Sequence, residues 1–399
     1  MGNVSPSIIK GKVTLRVLGT SVTLLEEIRL QATKDLGINF EYTVLDGVAA
    51  QRQGVLYPHS YDVYDQWFQS IDMLWPVSAI QPIDTKKIPL WHEVNPLSKY
   101  GKVSNTSSIG TGGIPVNRLY VQQDNSLSAH PTRFISMLPL THNADSFGYS
   151  PKALPARLRR KEESWGWLVN EDWSGKVGIQ NDSSIGAIDL ALAVQSAGLL
   201  DFKDIGNLTV TEIDNLINLL TKLKKRGHFR STWDSAAQAE ENMLTGGVAI
   251  ESLWSPSYNH LRELNAEIIE ASPVEGYRAW FGGMAISSNV EGRILDAAYE
   301  YLNWWLSGWA GAKLAKQGFY TSTPHLSKRY MEPGEWDYWY DGKPAPSILT
   351  ALDGNNLIAK GEVRKGGTYE ERMSKVIVWN SVMDEHNYLI RRWNDFLNA

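Results

Sequence analysis

Apolar and polar side chains alternate through Val13-Thr14-Leu15-Arg16-Val17-Leu18, and β-branched residues recur, so a strand is predicted there. Gly19-Thr20-Ser21 turns the chain, and the apolar spacing from Leu24 predicts a helix running through Asp35 and stopped by Gly37. Ile38-Asn39-Phe40-Glu41-Tyr42-Thr43-Val44 alternates again. This strand–helix–strand order predicts a right-handed crossover and a parallel pair. A third short strand is predicted at Tyr61-Asp62-Val63-Tyr64, leading into Asp65-Gln66-Trp67-Phe68.

The same logic returns further along. Lys176-Val177-Gly178-Ile179-Gln180 reads as a strand, residues 181–186 as a polar turn, and residues 187–197 as a helix closed by Gly198. Residues 210–225 carry helical spacing, with Thr211 as the expected N-cap and Gly227 as the stop. Gly247-Val248-Ala249-Ile250-Glu251-Ser252-Leu253 is another strand, left through Trp254-Ser255-Pro256. In EGYRAWFGGMAIS, residues 275–287, two aromatics run into two glycines and then into Met284-Ala285-Ile286, a buried strand. Helical spacing resumes at Gly292, while the ring-rich residues 335–340 read as a surface loop that packs by its rings. Ser108-Ile109-Gly110-Thr111-Gly112-Gly113 reads as a flexible loop. No internal repeat or long linker separates the two regions. They are expected to be lobes of one α/β body, with function where loops from both converge.

Composition narrows the function. At 399 residues the chain exceeds the size at which one core usually stops growing, which fits two lobes. The net charge is −5, and the basic run Arg157-Leu158-Arg159-Arg160-Lys161 is answered at once by Glu162 and Glu163, so no nucleic-acid partner is expected. The absence of cysteine removes disulfides, thiolate metal sites, a cysteine nucleophile and a lipidated cysteine. No apolar run is long enough to span a membrane. The start, MGNVSPSIIKGKVTLRVLG, lacks an apolar signal core and soon enters a strand. It reads as a mature domain with an added Met whose export signal has been removed, the alternative being a cytosolic protein with its natural start. Sixteen tryptophans offer stacking walls for a small polar ligand as well as core packing.

Catalytic signatures are missing. There is no Gly-x-Ser-x-Gly elbow, no His-Glu-x-x-His, and no glycine-rich loop ending in Gly-Lys-Ser/Thr; Gly11-Lys12-Val13 and Gly101-Lys102-Val103 fall short. The eight histidines are scattered, and His142 and His228 read as structural or cleft residues rather than metal ligands. Carboxylates are numerous enough for a glycosidase-like pair, but no pair stands out. Binding is the simpler reading, with an aromatic-rich, glycan-active enzyme as the alternative from another class.

Six segments in order carry a resemblance: YDVYDQWFQSIDML, LPLTHNADSFGYSP, DWSGKVGIQNDSSIGAIDLALAVQSAG, GGVAIESLWSPS, YRAWFGGMAISSN and GFYTSTP. Their sequence and spacing resemble the periplasmic polyamine-binding proteins of bacterial ABC importers, within the extracellular solute-binding superfamily, over residues 12–330. The resemblance implies a two-lobed periplasmic-binding-protein fold, type II-like, each lobe a mostly parallel sheet flanked by helices. Residues 12–140 and 276–328 would form the N-terminal lobe, and 141–275 and 329–399 the C-terminal lobe. It implies a monomer in the periplasm that needs no cofactor or metal and hands a small-molecule solute to a membrane permease. The family's ligand-facing positions fall at Thr20, Ser21, Trp67, Gln69, Asn143, Asp145, Asp182, Ser183, Ser184, Trp254, Trp280 and Gly282.

Two departures steer the ligand reading. Gly282 stands where polyamine binders place the aspartate that grips an amine, and Trp67 and Gln69 replace a serine and a tyrosine. The expected ligand is therefore a small solute bearing both amine and carboxylate, such as an amino-acid derivative, an opine or a γ-amino acid, with a polyamine as the alternative. Asp65, Asp145 and Asp182 are candidates for the amine, and Arg230 and Arg278 for the carboxylate. Asp182 also reads as a helix cap, Arg278 as a surface residue and Trp280 as a lid on the core.

Overall fold

The computed structural model describes residues 13–105, 107–245 and 247–399. The expected processed start, residues 1–12, lies outside the described residues. One continuous mixed sheet organises the chain. Its path runs Phe229–Trp233, Val177–Gln180, Ile250–Leu253, Leu138–Tyr149, Tyr277–Ser287, Val63–Trp67, Thr14–Gly19 and Asn39–Val44. At one end Thr14–Gly19 lies parallel to both Asn39–Val44 and Val63–Trp67; at the other Val177–Gln180 lies parallel to Phe229–Trp233 and Ile250–Leu253. These are the two strand–helix–strand units read from the hydrophobic pattern.

Side chains shift several element boundaries. The Asp62 carboxylate accepts the Arg16 backbone N–H at 2.8 Å, so regular pairing of the third strand starts at Val63 and runs on to Trp67. The expected polar turn before residue 187 is the first helical turn of Ser183–Ser196, because the Asp182 side chain accepts from the Ser184 N–H. The cap of Val210–Lys225 is Thr209, not Thr211: Thr209 and Glu212 bond each other's backbone N–H groups reciprocally. Residues expected as a ring-packed surface loop contain the short helix Glu335–Trp339, with Tyr338, Trp339 and Tyr340 buried. Thr111–Gly112, expected in a flexible loop, pairs with the Val376–Trp379 strand.

Two long strands join the halves. Leu138–Tyr149 and Tyr277–Ser287 are buried along their whole length and pair antiparallel from Leu138↔Met284 to Asp145↔Arg278. Beyond that stretch the first continues against Ile250–Leu253, while the second pairs along its other edge with Val63–Trp67. One apolar core surrounds the first strand unit, and a second gathers Phe147, Trp165, Trp173, Ile188 and Leu216. The C-terminal stretch expected wholly in the second lobe divides between them. Tyr338, Trp339, Leu349 and Ile358 join the first core, drawn in by Tyr340, whose ring meets Tyr320 at 5.3 Å; Met383, Leu389, Trp393 and Phe396 join the second.

Within the second unit Glu251 is fully buried and has no ion-pair partner among the described residues; the Asn242 side chain only partly supports its charge. Its ladder neighbours are Gly148 and Gly178, and a Cβ on Gly178 would come 2.2 Å from the Glu251 carboxylate. Desolvation pushes the Glu251 carboxyl well above the ordinary range. A raised folded-state value means that its contribution to stability is present below the unfolded value and is lost as pH rises. Glu251→Gln is therefore expected to raise the melting temperature more at about pH 8 than at about pH 4.5. Equal gains at both pH values would remove Glu251 from the pH dependence.

Candidate ligand-binding site

Paired residues of an antiparallel ribbon share a face. On one face of the crossing strands the register therefore sets Thr141 beside Gly282, Asn143 beside Trp280 and Asp145 beside Arg278. On the other, His142 stacks on Phe281 with ring centroids 4.6 Å apart. The first face holds a dense polar cluster. Trp280 Nε1 donates to Asp145 at 2.8 Å, and Asn143 Nδ2 donates to Asp145 at 3.0 Å and to Ser255 Oγ at 2.7 Å. Arg278, 1% exposed, donates through Nε to Asp189 at 2.6 Å and through Nη1 to Asn380 at 3.0 Å, with Asp145 3.7 Å away. Burial pushes the Asp145 carboxyl up to about 6, against the pull of the Arg278 charge. Burial opposes the Arg278 charge, yet the carboxylates of Asp189 and Asp145 outweigh it and raise the guanidinium's pKa.

Next to this cluster is an aromatic cavity of about 20 Å³ lined by Val22, Trp67, Ile185, Trp254, Trp280 and Phe319, among others. That is room for about one water molecule. The walls nearly meet: Trp67 and Trp254 lie 6.2 Å apart edge to face, and Trp280 and Phe319 5.3 Å. The lining obeys the rule that open α/β sheets bind beyond the carboxyl ends of their strands. Val22 follows Thr14–Gly19, Trp67 ends its strand, Ile185 follows Val177–Gln180, and Trp254 follows Ile250–Leu253.

The structure thus brings Trp67, Asn143, Asp145, Trp254, Arg278, Trp280 and Gly282 to one region. Arg278 is buried within it rather than on the surface. A Cβ on Gly282 would lie 2.7 Å from Thr141 Oγ1 and 3.4 Å from the Trp280 ring, so these two side chains occupy the room an aspartate would need. Asp65 shares the Trp67 strand but is buried close to Thr23, which bonds it; burial pushes it up to about 7, and its Oδ2 has no partner. Gln69 is buried with Nε2 unpartnered.

Other expected residues are differently employed. Thr20 is buried and Ser21 exposed, and it is Val22 that reaches the cavity wall. Asp182 Oδ1 accepts from both the N–H and the hydroxyl of Ser184 at 2.8 Å, so it starts a helix, and Ser183 and Ser184 lie buried in the first turn. Arg230, expected to take a solute carboxylate, is exposed on the outermost strand, in a groove with Lys224 and Phe396 away from the tryptophans. It sits early in Phe229–Trp233, whereas Trp233, at the carboxyl end, meets Trp254 at 5.1 Å.

Sequence reading passed over Val22, Ile185, Phe319, Asn380 and Asp189. The last had a visible signal, a lone carboxylate inside the otherwise apolar Ile188-Asp189-Leu190-Ala191-Leu192. His228 bonds the Leu168 carbonyl and His142 the Tyr369 hydroxyl. Among the described residues no group of three acidic or histidine side chains could hold a metal ion, and no helix is long and apolar enough to cross a membrane.

Comparison with solved structures identifies the architecture. A spermidine/putrescine ABC transporter substrate-binding protein of Streptococcus pneumoniae is 15% identical, with 97% of this chain and 98% of that one covered at a TM-score of 0.63. The Tp0655 lipoprotein of Treponema pallidum is 11% identical, with 98% and 99% covered at 0.66. A periplasmic binding protein of A. tumefaciens R10, solved with agropinic acid, is 11% identical, with 97% and 99% covered at 0.59. At these identities the likeness is one of fold, the two-lobed α/β periplasmic-binding-protein fold. No curated protein sequence matches the chain. The sequence model described as bacterial extracellular solute-binding protein matches residues 96–336, more than half of the 399, and the chain belongs to that family.

Proposed function

We propose that this solute-binding protein is the periplasmic, monomeric capture subunit of an ABC importer, performs no chemistry on its solute, and hands it to a membrane permease. The lobes are residues from about 12–140 and 276–328 on one side and 141–275 on the other, with the C-terminal stretch shared as its core packing suggests. The solute is a small molecule with an amine and a carboxylate. One observation carries this reading: the buried Asp145 carboxylate, one hydrogen bond behind Trp280 in a wall of tryptophans. An ammonium group against aromatic faces gains cation–π attraction and has a counter-charge close by. Arg278 Nη2 has no partner and is the donor left for a solute carboxylate, while Arg230 is too remote to serve.

A polyamine is the second reading. It is favoured by the two buried carboxylates Asp65 and Asp145 and by the similar proteins described for spermidine and putrescine. Thermal-shift screening followed by calorimetry over amino acids, opines, γ-amino acids, polyamines and sugars separates the two. A dissociation constant near 1 μM, about −8 kcal/mol, is expected for the right class. Tight putrescine binding without binding of carboxylated compounds would establish the polyamine reading, and turnover of a chromogenic glycoside would overturn both.

A cavity of about 20 Å³ admits no such solute, so this reading requires a more open form that prevails without solute and draws together around it. Small-angle scattering is expected to give a smaller radius of gyration at saturating solute than without it. An unchanged profile would argue against closure about the crossing strands.

A further inference from the structure

A second cavity, of about 180 Å³, opens between the Ser255–Glu263 helix and the C-terminal stretch, and shares no lining residue with the tryptophan cavity. The partition is Trp254-Ser255 and Gly318-Phe319, whose members face one cavity or the other. Arg364 lines the second cavity and is 4% exposed. Its guanidinium lies between the rings of Tyr320 and Trp339, 5.0 and 4.9 Å from their centroids. Nη1 donates to the Tyr320 hydroxyl and Nη2 to the Gly318 carbonyl, both at 3.0 Å. No carboxylate pairs with it among the described residues, and its Nε has no partner at all. Asn259, 5% exposed and on the same cavity wall, likewise has Nδ2 unpartnered.

A buried cation without a counter-charge is costly, and buried donors are nearly always satisfied. The carboxylates on the same wall do not supply the answer. Glu362 is held bidentate by Arg262, both contacts at 2.6 Å, and Glu270 is paired with Arg372 at 3.2 Å. We propose that this cavity is a second binding site, separate from the solute cleft, that takes a small monocarboxylate on Arg364 Nε and Asn259 Nδ2. A single charge fits best, since Lys365 on the same lining is paired with Glu163, which leaves Arg364 as the lining cation without a carboxylate, and the paired carboxylates of Glu270 and Glu362 disfavour a second negative charge. The site does not depend on the identity of the cleft solute.

The test is thermal denaturation of the full chain in sodium acetate against sodium chloride at equal ionic strength. A saturable, acetate-specific rise of about 2 °C is expected. It should persist in Trp280→Ala, which removes a ring that lines the cleft and not the second cavity, and vanish in Asn259→Leu and in the near-isosteric Asn259→Asp. Line broadening of ¹³C-acetate by the parent, relieved in Asn259→Asp, gives the same reading without melting. No difference between acetate and chloride would mean a water-filled cavity and overturn the proposal. So would an acetate effect that survives both Asn259 variants or disappears in Trp280→Ala, since the anion would then lie elsewhere or in the cleft.

Discussion

Arg278→Met is expected to cost about 3–5 kcal/mol of folding stability, the scale of breaking a buried ion network by removing one partner. The side chain is 1% exposed and is the only cation paired with Asp189 and Asp145 among the described residues. Methionine fills much of the volume but leaves two carboxylates in a dry environment. Both are already pushed above the usual range by burial and held down in part by the Arg278 charge. Without it they rise further. For an acid whose folded value is raised, the stability contribution is present below the unfolded value and lost as pH climbs through the folded one. The deficit in urea unfolding should therefore be larger at about pH 8 than at about pH 5. Arg278→Lys should recover part of it, because one ammonium can serve Asp189 but cannot also reach Asn380 in the guanidinium's fork geometry. A loss under about 1 kcal/mol that does not vary with pH would mean that the network contributes little to the stability of the fold.

The same residue shows where sequence reading stops. The apolar pattern predicts a strand only at Met284-Ala285-Ile286; the structure extends it back to Tyr277, which puts Arg278 and Trp280 on the ribbon face that carries the polar cluster. Its principal partner, Asp189, is 89 positions away in an apolar helix, and no local periodicity reports that contact. The strand–helix–strand units were legible because each buries a regular stripe. The helix starts were legible unevenly: Asp182 reads as a cap and is one, whereas Thr209 caps through one oxygen and the nearby Thr211 looks equally able to do so. Arg230 and Trp233 belong to the same short strand, and only the direction of the parallel sheet separates the end that meets Trp254 from the end that does not. That rule was available from the sequence. Trp67 and Trp254 satisfy it at the carboxyl ends of their strands, and Arg230, at the start of its own, fails it.

Trp280→Ala is expected to weaken solute binding by about 1–3 kcal/mol, roughly fivefold to 150-fold, as for loss of a buried aromatic anchor. Trp254→Ala, on the same cavity lining, should behave alike. The more informative change is Trp280→Phe. It keeps a ring against Phe319 but removes the N–H that donates to Asp145 at 2.8 Å. Losing that donor raises the Asp145 pKa from its parent value of about 6. An amine-bearing solute needs the ionised carboxylate. Parent affinity should then be flat above neutrality and fall, approaching tenfold per pH unit, below about pH 6. In Trp280→Phe the same fall should begin at higher pH, while affinity on the alkaline plateau drops only modestly. Calorimetry across that range, with each variant's fold checked by its melting curve, makes the comparison. An affinity independent of pH down to about 4.5 in both proteins would remove Asp145 as the counter-charge and turn the site into an aromatic cleft for a neutral solute.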